Sequence, residues 1–150
     1  MDEHWESSTT TTHQDHVIAH VLGASVLGYF AHDETLHLLL DIGFIWSFYL
    51  DGQMVLLPHP VAVAELEVEE TIKLQIGIEV DGLLARRHTA EFQQFIPILA
   101  DAEIVEVGMY ERDRDRRIVL SGSTTITIES SELSRDFQVK VETTQVNGDL

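Results

Sequence analysis

Asp33-Glu34-Thr35-Leu36-His37-Leu38-Leu39-Leu40-Asp41-Ile42-Gly43-Phe44-Ile45-Trp46-Ser47-Phe48-Tyr49-Leu50 is the stretch on which the fold turns. Every even position from 36 to 50 is apolar, which fits one long strand with a two-residue repeat. The same residues also fit a helix. Leu36, Leu38, Leu39 and Leu40 are strong helix formers, Asp33 suits a helix N-terminus, and Gly43 suits the left-handed residue that closes one. A strand covering the whole stretch would far exceed the usual length of about five or six residues. The stretch therefore predicts a short helix over 34–42, followed by a strand over 44–50. Asp51-Gly52 is a two-residue hairpin signature, because both positions tolerate positive φ, and 53–57 returns as the partner strand.

Upstream, the β-branched Val17, Ile18 and Val21 and the helix-weakening Gly23 favour a strand over 16–22. A helix opened by a capping box in Thr12-His13-Gln14-Asp15 is the competing reading. Residues 1–14 carry a Ser/Thr run and are expected as a disordered lead. Downstream, Pro58 and Pro60 punctuate the chain, and 61–68 stays open between helix and strand. Ile72, Leu74, Ile76, Ile78 and Val80 alternate with polar residues and glycine, the pattern of a strand with one wet face; Asp81-Gly82 is then a second hairpin turn before 83–88. Thr89 is expected to cap a short helix containing Phe92, Phe95 and Ile96 that Pro97 ends. Strands are expected over 104–110 and 118–128, joined by the charged turn 111–117, with a last strand around Phe137, Val139 and Val141. Residues 144–150 read as a loose tail. The expected architecture is one α+β domain over 15–143, mostly antiparallel sheet with one or two short helices packed on one face.

The chain has 150 residues and a net charge of −17 at neutral pH. Its charge is unevenly divided: residues 1–72 hold no Lys or Arg, and the same stretch holds seven of the eight histidines. Such a field repels a phosphate backbone and an anionic membrane surface, so neither nucleic acid nor membrane is an expected partner. The apolar runs 17–31 and 36–50 are each about 15 residues, short of the roughly 20 that a spanning helix needs. They are expected as core. No basic segment precedes an apolar one near Met1, so no signal peptide is read and the expected compartment is the cytoplasm. The absence of cysteine excludes a disulfide framework, a thiolate zinc site and a cysteine nucleophile. The histidines predict that the N-terminal half sheds much of its negative charge between pH 7.5 and 5.5.

Three clusters invite chemistry. His32, Asp33 and His37 offer two imidazoles and a carboxylate to a divalent metal, although a spacing of five puts the histidines on different helix faces. His13, His16 and His20 share a face if their stretch is helical. Arg86-Arg87-His88 and the arginines 112, 114, 116 and 117 suit an anion if the two turns meet, but acids interleave the second group. No phosphate loop, dinucleotide fingerprint or nucleophile elbow is present, and no cofactor is expected. Trp46, Phe48 and Tyr49 read as core or interface. The function expected from all this is a non-catalytic module that binds a protein partner or assembles with itself, most simply as a homodimer. A metal-binding protein or metal-dependent hydrolase using His32, Asp33 and His37 is the alternative.

Overall fold

The leucine run is a strand. In the computed structural model, which describes residues 4–86 and 92–143, the elements follow in the order β1 (Glu6–Ser7), α1 (Thr12–Val21), β2 (Val26–His32), β3 (Thr35–Leu40), β4 (Phe44–Tyr49), β5 (Met54–Pro58), α2 (His59–Ala64), α3 (Glu70–Leu84), β6 (Ile96–Pro97), β7 (Glu106–Arg112), β8 (Asp115–Ser121), β9 (Thr124–Ser131) and β10 (Asp136–Thr143). The strands form two five-stranded antiparallel sheets. The central sheet has the order β5-β4-β3-β2-β6 and the terminal sheet the order β1-β7-β8-β9-β10. With the short helices this is the expected α+β class.

The helix expected over 34–42 is replaced by a hairpin of β2 and β3. Asp33 and Glu34 turn the chain at φ 51° and 64°, the doubly left-handed geometry whose twist matches the flanking strands. The apolar character of 36–40, His37 apart, follows from burial on both faces. Leu36, Leu38 and Leu40 pack with Trp46, Phe48, Ile118, Leu120, Ile126 and Ile128 against the terminal sheet. Leu39, between them, packs with Leu27, Phe30, Ile45, Ile76 and Val80 on the helix side. A strand covered twice reads as a continuous apolar run. β4 and the turn before β5 lie where the sequence places them, and Gly52 adopts φ 90° there.

Two stretches expected as strands are helices. All of 16–22 but the cap residue Leu22 falls in α1, because Thr11 opens a capping box: its side chain accepts from the Gln14 N–H at 3.1 Å, and the Thr11 N–H donates to Gln14 Oε1 at 2.9 Å. Val17 and Val21, one turn apart, then insert into the core between the sheets. Residues 72–80 fall in α3, and the expected hairpin at Asp81-Gly82 lies inside its last turn. Ile76, Val80 and Leu83 are buried against the central sheet. Burial of that stripe overrides the helix-weakening Gly77 and Gly82, each worth about 1 kcal/mol against a helix. The open stretch 61–68 is helical as far as Ala64, with Pro60 in the first turn of α2, where its missing N–H costs nothing.

The remaining differences are local. Phe92 and Phe95 pack on the helix-side core, but Ile96–Pro97 is an edge strand on β2 rather than a helix end. The expected cap Thr89, like residues 144–150, lies outside the described residues. Gly28 is required by this edge: a Cβ there would stand 3.0 Å from the Ile96 carbonyl oxygen and 3.2 Å from Leu83 Cδ1. The single strand expected over 118–128 is two, β8 and β9, folded at Gly122, where a Cβ would meet the Glu103 carbonyl. Within the stretch expected as a lead, Glu6–Ser7 pairs with β7 at its edge.

Candidate functional site

The helix-side face of the central sheet is only partly covered by α3. Where α3 has not yet begun, residues 62–67 roof it, and a cleft of about 320 Å³ remains beneath them. His37 and Ser47 form its floor. They are directly paired across β3 and β4, 7% and 5% exposed, and joined by a hydrogen bond of 2.7 Å between Nδ1 and Oγ. The imidazole stacks on Phe30 at 4.8 Å between ring centroids. Burial, and then the neighbouring His32, push the His37 pKa down from 6.5 to about 4. It is therefore neutral at physiological pH and drops out of the titration expected of the N-terminal histidines.

Thr35 and Tyr49 continue the polar floor, Val55, Leu57 and Leu66 supply apolar wall, and His32, Asp33, Glu65 and Glu67 stand at the rim. The hairpin thus brings His32, Asp33 and His37 to one cleft. It does not make them a ligand set: among the described residues, no three His, Cys, Asp or Glu side chains lie together as a metal site would need. His32 and Asp33 are exposed while His37 is held from below by Ser47. Ser47 was the residue missed from the sequence, since a serine opposite a histidine is visible only once the strand pairing is known.

The other clusters are tied into the fold. His13, His16 and His20 do line α1, but His13 Nε2–H donates to the Met54 carbonyl at 3.0 Å and His20 Nδ1–H to the His16 carbonyl at 2.8 Å. The arginine turns do not meet. Arg86 pairs with Asp41, just past β3, whereas Arg116 reaches the Leu50 carbonyl, just past the antiparallel β4. These points are at opposite ends of the central sheet. Arg116 and Arg117 also pair with Glu132 and Glu129, and Arg112 and Arg117 both stand over the Trp5 ring, 4.3 and 4.1 Å from its centroid. Arg87 and His88 lie outside the described residues.

Two features of α3 escaped the sequence reading. Glu79, expected on the wet face of a strand, is 1% exposed. Its carboxyl accepts from the backbone N–H groups of Gln93, Gln94 and Phe95 at 2.8–3.1 Å and from Gln75 Nε2 at 2.7 Å. One side chain therefore pins the segment that leads into β6. On the opposite side, Leu74 and Ile78 are 68% and 63% exposed, one turn apart, with open space before Gly77 between them. No helix among the described residues is long and apolar enough to cross a membrane. Comparison with known proteins gives no further guide, for no protein-family model, curated protein or solved structure matches this chain.

Proposed function

We propose that the chain is a non-catalytic module that assembles with a second copy of itself through the outer face of α3. The apolar runs at 17–31 and 36–50 no longer argue for this, because both faces of the central sheet are covered within one chain. The observation that carries the reading is the exposed Leu74–Ile78 stripe. A surface helix normally keeps one apolar face, and α3 has a second.

The ends of α3 favour a like partner in antiparallel orientation. Glu67, Glu69 and Glu70 lie at its start, and Arg86 follows its end, continued in sequence by Arg87 and His88. Antiparallel pairing about a twofold axis near residues 76–77 sets Leu74 against the partner's Ile78. The same register sets Thr71 against the partner's Asp81, a hydroxyl donor against a carboxylate, and the basic end against the acidic start. Parallel pairing would oppose like charges. A single helix crossing buries less than the roughly 1,200 Å² of a stable complex, so the dimer is weak, with Kd of about 100 µM.

Sedimentation velocity over a concentration series tests this. The wild type is expected to shift from monomer to dimer, and Leu74→Glu with Ile78→Glu is expected to stay monomeric at every concentration. Arg86→Glu weakens the dimer, and adding Glu67→Arg restores it at unchanged net charge. A wild type that remains monomeric at several hundred micromolar would refute the assignment, as would a dimer indifferent to the double glutamate substitution.

A further inference from the structure

We infer that the cleft over His37 and Ser47 is a binding site for a small organic cation carrying a carbonyl or hydroxyl oxygen on a short apolar body. Ser47 is buried, and among the described residues its hydroxyl makes no hydrogen bond other than the one to His37 Nδ1. Donation of its hydroxyl proton to Nδ1 is the arrangement that leaves Ser47 satisfied within the fold, because a buried donor without an acceptor is costly. A neutral imidazole that accepts at Nδ1 carries its proton on Nε2.

No residue among those described accepts from that Nε2–H; His37 as a whole is 7% exposed and lines the cleft, so the N–H is free to meet whatever the cleft holds. A fixed, neutral donor at the floor of a cavity selects a ligand with an oxygen acceptor. Val55, Leu57 and Leu66 accommodate an apolar body above it. Asp33, Glu65 and Glu67 at the rim, on a chain of net charge −17, then favour a positive group at the outer end and repel an anion. His32, the one basic group at the rim, is exposed and stands among these three acids. A cleft of about 320 Å³ holds a molecule the size of one amino-acid derivative.

The site lies under α2 and the segment leading to α3, away from the exposed Leu74–Ile78 stripe, and Glu67 is the one residue named for both. Three probes of the same body separate the claims: leucinamide (cationic), N-acetyl-leucinamide (neutral) and N-acetyl-leucine (anionic). Each is titrated at pH 7 into the full chain while the histidine side-chain resonances are followed by NMR. Leucinamide is expected to shift the His37 ring signals saturably, N-acetyl-leucinamide to bind more weakly, and N-acetyl-leucine weakest of all. His37→Phe keeps the stack on Phe30 and removes the N–H, and should weaken leucinamide about tenfold, the loss of one hydrogen bond. Glu65→Gln, at an exposed rim position that the association face does not use, should narrow the gap between cation and anion. The inference is overturned if no probe moves His37 up to 50 mM (a concentration of about five hundred times the dimer Kd given above), if the anion binds best, or if folded His37→Phe binds leucinamide unchanged.

Discussion

β3 and α3 pack against each other through Leu39, Ile76 and Val80, and each has the sequence pattern of the other's structure. β3 reads as a helix because leucines occupy every side of it; α3 reads as a strand because its apolar residues alternate. In β3 the missing polar face reflects a sheet covered by a second sheet on one side and by helices on the other. In α3 the alternation is two helical stripes superimposed. Ile72, Ile76 and Val80, four apart, face the sheet, and Leu74 and Ile78, also four apart, face outward. What the pair teaches is that periodicity reports which sides of an element are apolar. It identifies the element only when a single side is.

The contrast can be broken most severely in β3. Leu38→Ala and Leu39→Ala, adjacent in sequence but in different cores, should each cost about 2–5 kcal/mol in urea unfolding. A strand buried on one face would give one large loss and one small. The next largest effect is one of pH. With the His37 pKa at about 4 in the fold against 6.5 ordinarily, the unfolded chain takes up a proton between these values and the folded chain does not. The His37 contribution is thus whole above pH 6.5, declines as pH falls toward 4 by about 3 kcal/mol, and is flat below. Comparing wild type with His37→Phe across that range isolates it, and parallel curves for the two proteins would contradict the buried, neutral imidazole. Glu79→Gln places amide donors against backbone donors and should cost about 2 kcal/mol while quickening hydrogen exchange at 93–95. The smallest change is on the outer stripe: Leu74→Gln should alter monomer stability by no more than about 0.5 kcal/mol. A loss like that of Leu39→Ala would mean that the stripe is covered within one chain.

The terminal sheet was legible because it is buried on one face. Ile118 and Leu120, then Ile126 and Ile128, bury alternate positions, and the final strand follows the same rule. Hidden were the fold at Gly122, where the need for glycine comes from the distant Glu103 carbonyl, the edge strand Glu6–Ser7 inside the expected lead, and most of 111–117, expected as a turn but paired as the ends of β7 and β8. The central sheet was half legible: Asp51-Gly52 announced its turn, whereas Asp33-Glu34 is not a pair expected at two positive φ angles. α1 was decided by the cap at Thr11, one residue ahead of the box considered in sequence, together with Val17 and Val21. His32, Asp33 and His37 were the right neighbourhood for a cleft but an incomplete list for its floor. Ser47 joins them through the β3–β4 register, a non-local fact. Glu79 could not be found at all from sequence, because its partners are backbone groups fourteen to sixteen residues away.

The most direct test of the account concerns the outward face of α3. The chain has no cysteine, and a Cβ at Gly77 would meet nothing within 4 Å, so Gly77→Cys adds a lone thiol close to the proposed twofold axis. In that pairing its symmetric mate lies across a single helix crossing, about 8 Å away and close to the separation that a disulfide can span once the helices move slightly. Under mild oxidation at concentrations where the wild type sediments partly as dimer, Gly77→Cys should become a covalent dimer on a non-reducing gel, while Ser123→Cys in the exposed β8–β9 turn stays monomeric. Equal cross-linking of the two variants, or none at position 77, would contradict the pairing.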